Sequence, residues 1–204
     1  MSNPIWRSPN LIPPPEELLC TPPDGCSLIR LFKILPKFVS GDKQSERIRL
    51  RYFTDPARSA LWANAWYGQG AEGPPGHAHG GSMASVLDEA MGGIAWIRDH
   101  QCLALEINVK FRKALPLGSL VRVKSWLERV DGKKIYSRAE MTGASGELYS
   151  ESSGLFLEFT CNITILGHPN DHGTKDDRRQ YHNKTFKEFF RLSMETPSKS
   201  LEEK

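Results

Sequence analysis

The sequence predicts an α+β fold, an antiparallel sheet of five to six strands wrapped around one long central helix. Three observations carry this. Segment 81–98 sets Met83, Val86, Leu87, Met91, Ile94, Ala95 and Ile97 around most of a helical circumference, the pattern of a deeply buried helix. Four long strand-like segments follow it, at about 102–113, 120–130, 134–142 and 147–159. Asp131-Gly132 stands between two alternating runs, a strong hairpin signal, so the last three segments form an antiparallel meander.

The earlier elements follow in order. Pro4, Pro9, Pro13–Pro15, Pro22 and Pro23 make the beginning extended and irregular, a segment suited to wrapping a surface. Segment 28–37 is apolar and basic; it reads as a helical turn or two, or as an edge strand, and Pro36 stops it either way. Segment 47–53 alternates basic and apolar residues, as a strand with one wet face does, and 60–67 reads as a second strand. Residues 68–81 are too rich in glycine and proline for a helix or a ladder. Ser82 or the glycines before it start the helix, and Gly92 and Gly93 mark close packing against the sheet. After residue 167 the chain is polar, with a possible short amphipathic helix at 185–194. The resulting division is a Pro-rich extension (1–44), one folded domain (45–160) and a polar tail (161–204).

Composition excludes several classes. With 204 residues, 39% hydrophobic and 25% charged, the chain is neither disordered throughout nor collagen-like. No apolar stretch approaches the roughly 18 residues of a membrane span. A net charge of +3 is too mild to imply nucleic acid. Cys20, Cys26, Cys102 and Cys161 form neither a disulfide framework nor a zinc signature, and the expectation is reduced thiols. Residues 1–15 lack a signal-peptide core and an Arg-rich transit pattern, so the expected location is the cytoplasm, with the mitochondrion left open. The Asn162-Ile-Thr164 and Asn183-Lys-Thr185 sequons are read as chance matches. Within 103–140, nine Lys/Arg face four acids. This local excess reads either as alternating wet strand faces or as a basic rim for a phosphorylated ligand.

The chemistry concentrates at 73–89. A Gly-Gly pair at the start of a buried helix exposes backbone N–H groups backed by the helix dipole, a cradle for an oxyanion. Glycine at positions 80 and 81 lets a ligand carbonyl approach the backbone. Asp88 sits about two turns into the helix, where an acid is costly unless paired or functional. With Glu89 adjacent, the expectation is that Asp88 faces inward and Glu89 faces water. His77 and His79 form His-x-His, but a metal site needs further ligands, and His168 and His172 lie in the tail, so neither a metal nor a cofactor is expected.

His79-Gly-Gly-Ser-Met-Ala-Ser-Val-Leu-Asp88, with Glu-Ala-Met-Gly92 after it, resembles the HGG…D signature of hotdog-fold acyl-CoA thioesterases of the PaaI-like group. Three further segments, 109–117, 130–134 and 148–156, resemble the carboxyl-terminal modulator protein branch of the thioesterase superfamily, and the likeness covers about 45–160. The resemblance implies that the Gly80 N–H binds the thioester carbonyl oxygen and that His79 orients that carbonyl or the loop. Asp88 acts as general base on water or as nucleophile. It also implies a homodimer or a dimer of dimers with a continuous sheet, in which Asp88 faces His79 and Gly80 of the other subunit. Gly81 then borders the substrate, while Lys134, with Arg112 and Lys113, contacts the CoA phosphates. Leu87, Met91 and Ile94 give the helix's share of an acyl tunnel.

Two positions depart from the family pattern. A Thr or Ser often holds the lytic water on the strand after the helix, and here that position is Ala104, with Cys102 and Glu106 nearby and Glu106 on the same strand face as Ala104. Many relatives carry Asn six residues before the histidine, where this chain has Gly73. The implied function is hydrolysis of an acyl-CoA, plausibly a fatty acyl-CoA, to free acid and CoA. The alternative is a hotdog protein that binds acyl-CoA without hydrolysis, or that regulates a kinase through protein contact as the modulator branch is linked to doing. A hotdog dehydratase needs a different His–acid arrangement.

Overall fold

The structure is a computed structural model that describes residues 11–29, 31, 38–39 and 45–159. The 185–194 helix, Cys161, His168, His172, both sequons, most of segment 28–37 and the tail lie outside the described residues.

Seven strands form one antiparallel sheet: β1 (Ser27–Ile29), β2 (Ile48–Thr54), β3 (Leu61–Tyr67), β4 (Cys102–Phe111), β5 (Leu120–Asp131), β6 (Lys134–Thr142) and β7 (Leu148–Glu158). Their order across the sheet is β1-β2-β3-β5-β6-β7-β4. The last three follow the expected meander. Gly132 is the first of two loop residues between β5 and β6 and takes φ 56°, a conformation glycine adopts without strain. The sheet has one strand more than the upper count expected. The edge-strand reading of the segment from residue 28 holds at its start, where β1 pairs with β2 through Leu28↔Phe53.

Among the described residues, two α-helices accompany the sheet, α1 (Glu16–Leu19) and α2 (Gly80–Ile97), with one 3-10 turn at Gln69–Ala71. In α2, Met83, Val86, Leu87, Ala90, Met91, Ile94, Ala95 and Ile97 are all buried, so the apolar circumference lies in the core. Of the glycine pair, Gly93 is the one used for close approach, since a methyl on Gly92 would be 3.5 Å from Phe156 Cε1, an ordinary contact. A methyl on Gly93 would sit 2.7 Å from Leu61 Cδ2 of β3, so only glycine brings the helix this close to the sheet.

Of the proline-rich beginning, the described residues 11–29 are more ordered than an extended, irregular segment. Their α1 turn sets Leu19, fully buried, against the face of the sheet opposite α2. Asn64 of β3 donates to the Leu19 and Thr21 carbonyls at 3.0 and 2.8 Å and accepts from Arg122 Nε at 3.2 Å. Arg51 forks onto Glu16 at 2.7 and 2.8 Å. Residues 11–29 therefore form a strap over β2, β3 and the start of β5. Asn64→Leu, which breaks three hydrogen bonds, is expected to lower stability by about 1–3 kcal/mol in denaturant melts.

Cross-strand partners point to the same face of a sheet. On β7, the buried residues Ser150, Ser152, Gly154 and Phe156 face α2. On β4 the partners of this row are Phe111, Val109, Ile107 and Ala104. A bulge between Ala104 and Glu106 switches the alternation of β4 partway along.

Candidate functional site

Loop 68–79 is tied down by its backbone. Ala78 N–H donates to the Leu115 carbonyl at 2.8 Å, Leu117 N–H to Gly76 at 2.9 Å, and His79 N–H to Ala71 at 2.7 Å. Gly73 lies directly against His79: a methyl there would be 2.7 Å from His79 Cα. This packing favours glycine at position 73. Gly73→Ala is expected to push His79 off its position and cost about 1–3 kcal/mol, read as a fall in melting temperature.

The helix starts at the glycines, and His79 is its N-cap. His79 Nδ1 accepts from Gly81 N–H at 2.9 Å, which places any neutral-ring proton on Nε2. The Ser82 and Met83 amides go to the His79 carbonyl at 2.9 and 3.3 Å. In this first turn, Gly80 N–H is the amide with no hydrogen bond among the described residues. A methyl at Gly80 would be 3.2 Å from Phe111 Cζ, so this amide lies at the Phe111 end of β4. His77 Nδ1 is within 2.9 Å of the Pro75 carbonyl, so both histidines are engaged by backbone.

Asp88 is half-buried, and its Oδ1 is fully buried with no hydrogen-bond partner among the described residues. Desolvation raises its pKa above the ordinary carboxylate value. Glu89 corrects the sequence expectation. It is half-buried like Asp88 rather than fully in water, and it accepts from the Tyr52 hydroxyl of β2 at 2.5 Å. The helix is apolar around so much of its surface that both acids are drawn under cover, and only Glu89 meets a donor there.

Asp88 and Gly80 are eight residues apart on one helix, about 12 Å along its axis. One carbonyl cannot touch both groups of the same chain.

Ala104 faces α2 beside Phe156, and it is exposed. The bulge overturns the shared face assigned to Glu106, which pairs with Leu155 and points to the other side of the sheet. Cys102 is buried; burial first, then the Glu158 and Asp88 charges, push its thiol up to about 12, so it is held as an inert thiol.

The basic residues do not form one rim. Arg112 pairs with Glu151, and Arg138 with Glu128 at 2.9 Å. Lys124 stands 5.0 Å over Trp62, and Arg129 3.9 Å over Tyr136. These are the alternating wet faces of strands. Lys110, Lys113, Lys133 and Lys134 make no ion pair among the described residues. Lys113 N–H bonds the Tyr149 carbonyl, whereas Lys134 pairs with Leu157. Eight residues of β7 separate those levels, about 26 Å of strand. The structure gathers His79, Gly80, Gly81, Arg112 and Lys113 at one end of the sheet and leaves Lys134 at the other. A shallow depression of about 90 Å³ lined by Lys110, Trp126 and Arg138 lies on the sheet's other face, away from Asp88 and Gly80. Phe111, beside Gly80, escaped the sequence reading; the phase of β4 beyond its bulge was the signal needed to place it.

Among the described residues β4 is an edge strand, long and without a neighbour on its outer side. Leu103, Leu105, Ile107 and Phe111 are 65, 58, 39 and 52% exposed. No helix among the described residues is long and apolar enough to cross a membrane.

Residues 75–150 match the family model described as Thioesterase superfamily. The acyl-coenzyme A thioesterase THEM5 of Homo sapiens is 36% identical over 93 residues, covering 43% of this chain and 36% of that protein. THEM4 of Bos taurus, also an acyl-coenzyme A thioesterase, is 32% identical over 88 residues, with the same coverage of 43% and 36%. The chain thus spans little more than a third of the length of these curated relatives. Among solved structures, a thioesterase superfamily protein superposes with a TM-score of 0.51 at 23% identity, covering 54% of each chain. A Streptococcus mutans UA159 protein solved bound to acetyl CoA gives 0.50 at 11% identity, covering 63% of this chain and 93% of its own. These likenesses show the fold. Through residues 75–150, this chain is similar to the Thioesterase superfamily, and its sheet and helix have the hotdog fold of the solved thioesterase structure it superposes on.

Proposed function

We propose that the protein hydrolyses an acyl-CoA thioester to a carboxylic acid and CoA, as a homodimer. The observation that carries this reading is the pair of unsatisfied groups on α2, the Asp88 carboxylate and the Gly80 amide. One suits activation of water and the other suits a developing oxyanion. The names of the THEM relatives, and the acetyl CoA in the S. mutans protein, support the substrate class.

The dimer is needed because one chain holds these groups about 12 Å apart. An open apolar edge is a liability unless it is paired, and β4 is such an edge. Antiparallel pairing of two β4 strands lays the Cys102 end of one beside the Phe111 end of the other. Asp88 then approaches the partner's Gly80 amide, and Lys134 comes to the same end of the joint sheet as the partner's Arg112 and Lys113. In this arrangement Asp88 takes a proton from water as its oxygen attacks the thioester carbon. The partner's Gly80 amide receives the negative oxygen, and the C–S bond breaks to release CoA thiolate, which takes up the proton. His79 acts through the loop, holding Gly81 so that the neighbouring amide stays free.

Ala104 favours a second reading, binding without turnover, since no hydroxyl stands there to hold a water. Release of free thiol from a panel of acyl-CoAs, with binding titrated in parallel, separates the two. Turnover that exceeds the uncatalysed rate supports the enzyme; tight binding with no thiol release establishes the binder.

A further inference from the structure

Phe156 occupies an unusual place. Its ring, 2% exposed, lies in a slot between two glycines, Gly92 on α2 and Gly154 on β7. A methyl on Gly154 would be 2.5 Å from the ring's Cε2, and one on Gly92 would be 3.5 Å from its Cε1. The Met91 thioether closes the same slot, 3.2 Å from that Gly154 methyl position. Gly92 is one helical turn beyond Asp88 on the same face, about 6 Å along the axis. Phe156 also pairs with Ala104 across to β4, at the open edge.

The slot walls differ from an ordinary core. Ser137, directly opposite Gly154 on β6, buries a hydroxyl with no partner among the described residues. Ser152, the next residue on β7 to face α2, donates only to the Met91 sulfur, at 3.3 Å. Hydroxyls with weak partners or none mark a layer that does not seal on itself. Two glycines facing each other across helix and sheet make space, and one ring fills it.

We infer that Phe156 is the residue that sets acyl length, its ring forming the floor of the acyl slot. The inference rests on the reading of Asp88 as the reacting group. An acyl chain leaving a carbonyl beside Asp88 and moving away from water runs along α2 between helix and sheet. On that path it meets the Phe156 ring after one turn of helix, about 6 Å, the length of a few methylenes. Removing the ring joins that space to the Gly92–Gly154 slot.

The test compares wild type, Phe156→Ala and the milder Phe156→Leu on straight-chain acyl-CoAs from acetyl to palmitoyl. Thiol release gives kcat/KM and titration gives Kd, and thermal melts identify any variant that does not fold. Wild type is expected to favour short acyl groups. Phe156→Ala is expected to raise the decanoyl-to-butyryl ratio of kcat/KM at least tenfold, with Phe156→Leu between. Length profiles of the folded variants that superimpose on wild type in both measurements overturn the inference. Absence of thiol release by wild type overturns the hydrolase reading instead, and the Kd profile then still decides the role of Phe156.

Discussion

Asp88→Asn is expected to lose roughly 10²–10⁴-fold in kcat, the range that general-base catalysis contributes. The protein should stay folded and keep its oligomeric state. Asn keeps the shape of the side chain while removing the charge that burial disfavours. The same burial fixes the sign of two pH effects. A carboxyl with a raised folded pKa keeps its proton longer in the folded state than in the unfolded chain. Its ionisation therefore costs stability, and the cost grows as pH rises from the ordinary carboxylate pKa through the raised one. Below that window both states are protonated and the cost vanishes. Asp88→Asn should remove this loss, so its melting temperature should match wild type in acid and equal or exceed it at neutral pH. In wild type, kcat/KM should rise with pH along an acid limb lying above the ordinary carboxylate range. An Asp88→Asn enzyme with undiminished turnover would eliminate Asp88 as the base.

The second large effect comes from mixing two inactive variants. Gly80→Pro deletes the amide N–H and nothing else of the backbone chemistry. Proline is tolerated at the first position of a helix, and His79 at φ −64°, ψ 135° has the extended geometry required before it. Alone, Gly80→Pro and Asp88→Asn should each be nearly inactive. If each site takes Asp88 from one chain and the amide from the other, a heterodimer holds one doubly defective site and one intact site. After subunit exchange at equal amounts, half the dimers are mixed, and activity should recover to roughly a quarter of wild type. A site contained within one chain predicts no recovery at all. Ile107→Glu, which puts a charge on the open β4 edge, should yield monomers by light scattering and lose the activity with the dimer.

Much of this was legible from short stretches of chain. The meander β5–β7 announces itself through alternation and Asp131-Gly132, because neighbouring strands joined by tight turns need only local information. Helix α2 is legible because burial on nearly all sides leaves an almost unbroken apolar run. The HGG…D motif is local too: its glycines open α2 and Asp88 lies half-buried two turns in, whereas the capping by His79 is not read from it. What escaped depends on distant partners. At the three-residue β1 the sequence leaves helix and edge strand open, and pairing with β2 decides between them. The fate of Glu89 was set by Tyr52, 37 residues away. The bulge at Leu105 is a matter of register between β4 and β7, and one skipped residue moved Glu106 to the other face. Lys134 could be joined to Arg112 and Lys113 by charge but not by distance, since only the register of β6 and β7 shows them at opposite ends.

The strand order carries a consequence for how the protein is made. β4 leaves the ribosome before β5, β6 and β7, yet its hydrogen-bonding partner is β7, the last of them. While those three strands are being synthesised, β4 has no lasting shelter, and α2 is covered only as β5 and β6 join β3. A nascent chain stopped before Leu148 holds α2 against β3, β5 and β6 but leaves β4 without its sheet neighbour and uncovers the part of α2 that packs on β7. Completion of the β6–β7 hairpin therefore acts as a checkpoint in biosynthesis. Chaperone occupancy on stalled nascent chains should drop once β7 has cleared the exit tunnel.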